Sequence, residues 1–170
     1  IAGQWRGRRL ESPDRPGLRP TPDRVRETLF DWLAPVLPGA RCLDLFAGSG
    51  ALGIEALSRG AAEAVLVEPQ PLAVRALREN LARLKAEHAR VEMADALVWL
   101  RQPATPFEIV LRDPVCALLE RNGWLADAAW IYLEAETELE RLPLPARWTP
   151  YREKIAGAVS YRLARRPVSD

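Results

Sequence analysis

The chain has 170 residues, a formal net charge of +1, two cysteines and one histidine, with 48% hydrophobic and 28% charged residues. This length supports one domain with a substantial core, and the composition disfavours a membrane-spanning protein, a disulfide framework, a metal site and histidine-based nucleophilic catalysis. Since no secretory signal pattern is present, we expect a cytoplasmic protein. We also expect a monomer that holds no metal, the latter because of the few cysteines and histidines.

The first ten residues contain two glycines and alternate loosely, which predicts a small β-hairpin carrying Trp5 among arginines. Residues 1–26 hold seven arginines and three acids, and residues 147–170 hold six basic residues and two acids. Basic ends around an acidic middle favour contact with a polyanion, although such ends can also act only as solubilising tails. The side chains that we expect to contact the phosphates of such a polyanion are Arg6, Arg8, Arg9 and Arg15.

A loop from Ser12 to Gly17 leads to a helix for which Thr21 is a suitable N-cap and Pro22 a suitable first residue. Apolar residues then recur at helical spacing: Val25, Leu29, Trp32 and Leu33. We therefore divide the single domain into a hairpin and basic arm, residues 1–20, and a catalytic fold, residues 21–170.

From residue 41 onward, apolar strands alternate with helical patterns. We predict strands at 41–46, 63–68, 90–93, 107–112 and 129–135, helices at 51–59, 71–84, 96–101 and 115–122, and a terminal antiparallel hairpin within 147–165. This alternation is typical of an α/β fold with a mostly parallel sheet and helices on both faces. Ligands bind at the carboxyl ends of such strands, where four acids fall: Asp44, Glu68, Asp95 and Asp113.

The first of these strands runs directly into a glycine-rich turn. Gly48 and Gly50 allow the backbone to turn sharply beside a ligand, and the following helix offers its N-terminal amides. Asp44 at the mouth of the turn would repel a pyrophosphate but would hold the ammonium group of S-adenosylmethionine. The pattern therefore favours that cofactor and disfavours a nicotinamide-dependent oxidoreductase.

Two further acids fit a nucleoside. Glu68 lies about twenty residues past the glycine turn, at the position where an acid bonds ribose hydroxyls in doubly wound sheets. Asp95, next to Ala96, is placed to reach the adenine amino group, and it is an equally good N-cap for the helix that follows. The sequence leaves both roles of Asp95 open.

The fourth strand ends at Asp113-Pro114, which resembles the start of the Asp/Asn-Pro-Pro-aromatic motif of enzymes that methylate exocyclic amines. The lone pair of such an amine is delocalised into the base and is a poor nucleophile. Hydrogen bonds to the Asp113 carboxylate and the Pro114 carbonyl would aim that lone pair at the sulfonium methyl group. An isolated Asp-Pro pair is also common in turns.

Four segments together resemble the bacterial RsmD family: residues 3–8, 18–30, 43–53 and 122–127. The resemblance implies a Rossmann-like class I methyltransferase with a mostly parallel seven-stranded sheet and an N-terminal β-hairpin plus helix extension. It implies an enzyme that uses S-adenosyl-L-methionine to methylate N2 of guanine 966 in 16S ribosomal RNA during small-subunit assembly. The residues that it implies around the cofactor are Asp44, Phe46, Gly48, Ser49, Gly50, Glu68, Asp95 and Ala96, with Arg19 and Thr21 near its amino acid end, while Asp113 and Pro114 would hold the guanine amine.

The sequence departs from the family motif directly after Pro114, because Val115 and Cys116 stand where a second proline and a base-stacking aromatic residue would follow. Val115 to Asn122 also gives barely two helical turns for a parallel crossover. We therefore expect that a substrate loop belongs between Pro114 and Val115. A true deletion would instead favour a non-catalytic module that binds cofactor and RNA.

Overall fold

The computed structural model describes residues 1–11, 21–111, 116–136, 144–157 and 159–168. In these ranges the α-helices are α1 (Asp23–Leu33), α2 (Ala51–Ser58), α3 (Pro71–Leu84), α4 (Ala96–Trp99) and α5 (Cys116–Arg121). The strands are β1 (Arg41–Asp44), β2 (Glu63–Val67), β3 (Ala89–Glu92), β4 (Phe107–Leu111), β5 (Leu125–Glu136), β6 (Thr149–Ala156) and β7 (Val159–Arg165).

The strands form one seven-stranded sheet in the order β3-β2-β1-β4-β5-β7-β6. Strands β1 to β5 are mutually parallel, and β7 is antiparallel to both β5 and β6. The predictions of a mostly parallel sheet and of a terminal hairpin are therefore confirmed. The strand order reverses between β1 and β4, and in open α/β sheets such a reversal opens a ligand-binding crevice at the carboxyl ends of the strands.

Helices cover both faces of the sheet. Residues of α1, α2 and α3, among them Leu29, Leu52 and Leu77, pack on one face without solvent exposure. On the other face Trp124 packs against Trp99, with ring centroids 4.7 Å apart. Successive residues of β1 point to alternate faces and contact both cores, so the strand that leads to the glycine turn is fixed from two sides.

The N-terminal arm, which we define as residues 1–11, is not the β-hairpin that the sequence predicts. It contains no strand; Gly3–Trp5 form a single 3-10 turn, and the amide of Gly7 donates to the carbonyl of Ile1 at 3.1 Å. The reason is tertiary, because the arm, besides the bonds of its own turns, is bonded to α2. The amide of Ala2 donates to the Glu55 carboxylate (3.2 Å), and the amide of Trp5 donates to Ser58 Oγ (2.9 Å).

The start of α1 also differs from the prediction. Pro22, not Thr21, precedes the first helical residue, and no side chain caps the helix. Thr21 is buried, and its hydroxyl donates instead to Glu134 Oε1 on β5 at 2.5 Å. The Thr21 hydroxyl therefore does not cap α1 but links the start of this helix to the carboxyl end of β5.

Across the residues that the structure describes, no helix has the length and apolar character needed to span a bilayer.

Candidate functional site

Two buried carboxylates lie side by side at the carboxyl edge of the sheet. Asp44 ends β1 level with Leu66 of β2, and Glu68 follows the last residue of β2. Asp44 is 1% exposed and Glu68 is 7% exposed. Carboxylates are rarely this buried unless they accept hydrogen bonds or pair with a charge. The arrangement therefore indicates a site that receives hydrogen-bond donors.

These carboxylates orient the glycine loop, which we define as residues 45–50. Glu68 Oε2 accepts a hydrogen bond from the Gly48 amide at 3.0 Å, and its Oε1 accepts one from the Gln70 amide at 3.1 Å. Asp44 Oδ1 accepts from the Phe46 amide at 3.3 Å. Asp44 therefore bonds the backbone that follows β1, and Glu68 bonds both this loop and the backbone that follows β2.

The residues present fit S-adenosylmethionine. Its ammonium group and its ribose hydroxyls are hydrogen-bond donors, and the buried carboxylates of Asp44 and Glu68 at the carboxyl edge of the sheet are acceptors of the matching kind. Gly48 adopts a φ of +54°, and a Cβ added there would meet no atom within 4 Å, so open space lies against the loop. Phe46 is 40% exposed beside it, which leaves an aromatic surface for a ligand.

A cleft of about 580 Å³ adjoins the loop. Its walls come from the N-terminal arm, the start of α1 and the glycine loop, and they include Arg8, Arg9, Thr21, Arg26 and Ser49. Arg26 pairs with Asp23 at 3.1 Å. Asp23 also lines the cleft and balances Arg26, so the excess positive charge next to the loop comes from Arg8 and Arg9, and it favours an anionic ligand.

Asp95 caps α4. Its Oδ1 accepts hydrogen bonds from the amides of Leu97 (2.9 Å) and Val98 (3.3 Å), which confirms the N-cap interpretation. Asp95 is exposed at the same sheet edge and Ala96 is buried beneath it. A contact of either residue with adenine stays a prediction.

The remaining predicted residues divide into two groups. Arg6, Arg8 and Arg9 are exposed on the N-terminal arm. Four others lie outside the described residues, as does the junction between Pro114 and Val115: they are Arg15, Arg19, Asp113 and Pro114.

One residue of the site region was missed by the sequence analysis. Asn80, on α3, is fully buried, and its side chain bonds both the glycine loop and the arm. The available signal was a polar residue on a helical face that otherwise carries Leu77, Leu81 and Leu84. A polar side chain at such a position requires hydrogen-bond partners, so it marks a tertiary contact.

Two other features bear on the chemistry. Within the described ranges, His, Cys, Asp and Glu side chains form no group of three or more that could hold a metal ion. Burial raises the pKa of the Cys42 thiol far above its ordinary value, with Glu108 and Asp44 adding to the effect, so this thiol stays protonated.

Comparisons with known proteins agree with this geometry. "Ribosomal RNA small subunit methyltransferase D" of Escherichia coli K12 is 56% identical over 175 residues, which cover 98% of this chain and 88% of the relative. The solved structure of "Putative methyltransferase yhhF" from Escherichia coli is 53% identical, covers 99% of this chain and 97% of that chain, and superposes with a TM-score of 0.92.

A more distant structure shares the fold alone. It is an RNA methyltransferase from Salinibacter ruber in complex with S-adenosyl-L-homocysteine, 19% identical, with a TM-score of 0.64 over 89% of this chain and 96% of that one. The family model described as "Conserved hypothetical protein 95" matches residues 1–165. The chain therefore belongs to the RsmD family and has a Rossmann-like methyltransferase fold.

Proposed function

We propose that this protein transfers a methyl group from S-adenosylmethionine to small-subunit ribosomal RNA, at the exocyclic N2 amine of a guanine. The observation that carries the proposal is the pair of buried carboxylates, Asp44 and Glu68, beside a glycine loop and an arginine-lined cleft. Relatives of high identity that are named small-subunit rRNA methyltransferases support the substrate class.

The cofactor is S-adenosylmethionine, which supplies a methyl group activated by a sulfonium. In our proposal Asp44 holds the ammonium group, Glu68 accepts from the ribose hydroxyls, and Phe46, Gly48, Ser49 and Gly50 line the crevice. Calorimetry with S-adenosylhomocysteine and with NAD tests this assignment. We expect only the former to bind, and tighter binding of NAD would overturn it.

The reacting amine would be held by Asp113 and Pro114. A carboxylate and a carbonyl that accept the two amine protons leave the nitrogen lone pair free to attack, and the surplus proton leaves after transfer. This chemistry requires neither a metal nor a covalent intermediate on the protein. Family resemblance extends the proposal to guanine 966 of 16S RNA within an assembling small subunit, modified by a monomeric enzyme in the cytoplasm.

The RNA backbone would be held by the exposed arginines of the arm, Arg6, Arg8 and Arg9, and by Arg15. Arg8 and Arg9 line the cleft that also contains Ser49 of the glycine loop. Phosphates bound there would lie next to the cofactor crevice, where a target base must arrive.

The deciding experiment measures transfer of labelled methyl to naked 16S RNA and to 30S particles, followed by nucleoside mass spectrometry. We expect N2-methylguanosine from the wild type, and a loss of at least 100-fold in Asp113→Ala, since the removed group orients the reacting atom. Asp31→Ala, which alters a 78% exposed acid, is the control. A methylated base other than guanine would overturn the N2 proposal.

A second candidate rests on the departure from the family motif at Val115 and Cys116. A module that lost catalysis would bind cofactor and RNA without methyl transfer. Binding of S-adenosylhomocysteine and RNA together with no labelled product on either substrate would favour this alternative.

A further inference from the structure

The Asn80 carboxamide joins the N-terminal arm to the glycine loop. Its Nδ2 donates to the Ser49 carbonyl (3.2 Å) and to the Glu11 carbonyl (2.9 Å), and its Oδ1 accepts from the Glu11 amide (3.0 Å). Glu11 and Ser49 are 38 positions apart in sequence, so this contact is made only in the folded chain.

The hydrogen-bonding capacity of this side chain is fully used. Both donors of Nδ2 are occupied, and Oδ1 also accepts from Arg83 Nη2. Since Asn80 is 0% exposed, water cannot replace these partners in place, and a shift of the Ser49 peptide would break a buried hydrogen bond. The position of the loop and the position of Glu11 are therefore linked.

The arm is also held at a second place, on a different helix. The Ala2 amide bonds Glu55 and the Trp5 amide bonds Ser58, and both partners are on α2, which begins directly after the glycine loop. Arg8 and Arg9 lie between these two anchors and line the cleft together with Ser49. The phosphate-binding side chains thus sit on a segment that is tied at both ends to elements next to the cofactor.

We propose that Asn80 is a positioning residue that couples cofactor binding at the glycine loop to RNA binding by the N-terminal arm. A ligand that orders the Ser49 peptide also orders Glu11 and the arginines before it, so RNA then binds with less ordering of the arm. By thermodynamic linkage, RNA must strengthen cofactor binding by the same factor. This inference rests on the proposed function as an RNA methyltransferase.

The test compares the dissociation constant of transcribed 16S RNA with and without saturating S-adenosylhomocysteine. For the wild type we expect the cofactor product to tighten RNA binding by about fivefold or more, the usual lower range of allosteric coupling. The ratio of the dissociation constant without S-adenosylhomocysteine to that with it should fall close to one in Asn80→Ala. In Glu79→Gln, which changes a 57% exposed side chain on α3 that pairs with Arg75, the ratio should stay at the wild-type value.

The ratio separates positioning from a purely structural role. A structural defect would weaken RNA binding equally with and without S-adenosylhomocysteine and would leave the ratio unchanged, which would overturn the inference. A wild-type ratio of one would also overturn it, while RNA binding itself would leave the proposed function intact. Failure to bind RNA under both conditions would instead reject the proposed function.

Hydrogen exchange of the wild type gives a second readout that requires neither a variant nor RNA. We expect S-adenosylhomocysteine to slow exchange of the Glu11 amide severalfold, together with the amides of Ala2 and Trp5. If the amides of the glycine loop are protected while these three are unchanged, the arm and the loop are not coupled, and the proposal is wrong.

Discussion

The Gly48 amide donates a 3.0 Å hydrogen bond to the buried carboxylate of Glu68, and this bond joins the glycine loop to the adjacent strand β2. One oxygen of Glu68 therefore orients the loop, and the other accepts from the Gln70 amide at 3.1 Å. The loop and the proposed ribose contact depend on the same side chain.

Replacing Glu68 by Ala should weaken binding of S-adenosylhomocysteine by about 1–3 kcal/mol, the range for hydrogen bonds to a charged group. Calorimetry measures this directly. The control is Glu63→Ala, which removes an acid from the opposite end of β2, where Glu63 pairs with Arg41 at 2.9 Å. Equal affinities for the wild type and Glu68→Ala would remove Glu68 from the site.

Replacing Gly48 by Ala should block the cofactor while the protein stays folded. The added methyl group would enter the open space against the loop, at a φ of +54° that costs about 1–2 kcal/mol for a side chain. Gly39→Ala carries comparable strain at a φ of +77°, also with no atom within 4 Å, but at the opposite end of β1. We expect similar losses in melting temperature for both variants and a loss of S-adenosylhomocysteine affinity for Gly48→Ala alone.

Replacing Gly3 by Ala should detach the arm. A Cβ at Gly3 would lie 2.1 Å from the backbone oxygen of Ser58, a clash that no side-chain rotation can relieve. Gly7→Ala is the matched control, because its φ is also positive but its Cβ would meet nothing within 4 Å. Trypsin should cleave after Arg8 and Arg9 severalfold faster in Gly3→Ala, and equal cleavage rates in the two variants would show that docking does not depend on this contact.

Reversing two arm charges in Arg8→Glu/Arg9→Glu should weaken RNA binding and flatten its dependence on salt, because fewer phosphate counterions are released. Cofactor affinity should not change. The comparison variant is Arg75→Glu, which reverses a 78% exposed charge on α3. If the RNA affinity of Arg8→Glu/Arg9→Glu depends on salt concentration as steeply as that of the wild type, the arm does not contact RNA phosphate and its charge serves only solubility.

Glu120 should make the free energy of unfolding depend on pH in the acidic range. Burial alone would raise its pKa, but hydrogen bonds from the Trp148 indole (2.7 Å) and from Arg166 Nε (2.8 Å) outweigh burial and hold the pKa below its ordinary value of 4.5. Because the folded-state pKa is depressed, the ionised group stabilises the fold above pH 4.5, and this stabilisation is lost as pH falls through the folded-state pKa.

Urea unfolding of Glu120→Gln measures this contribution. At pH 7 we expect a loss of about 1–3 kcal/mol relative to the wild type, and at pH 3 a smaller difference. Glu79→Gln, which alters a 57% exposed acid paired with Arg75, should differ little at either pH. A difference between Glu120→Gln and the wild type that is the same at pH 7 and pH 3 would contradict the prediction.

Much of the arrangement of the candidate site could be predicted because its signals are local. A buried strand, an acid at its end and two glycines before a helix place Asp44, Gly48 and Glu68 at one edge whenever the strands are parallel. The two roles of Asp95 were not separable, since capping and ligand contact require the same side chain at the same position. The geometry of the helix decided that Asp95 caps α4.

The sequence alone determined the alternation of strands and helices, the glycine loop and the acids at the strand ends, because hydrophobic period and backbone freedom act over a few neighbouring residues. Only the tertiary structure decided that the arm is a docked turn and not a hairpin, that Thr21 bonds Glu134 instead of capping α1, and that Asn80 joins Glu11 to Ser49. Each of these contacts connects residues that are far apart in the chain. Their partners are chosen by burial in the assembled core, which no local pattern encodes.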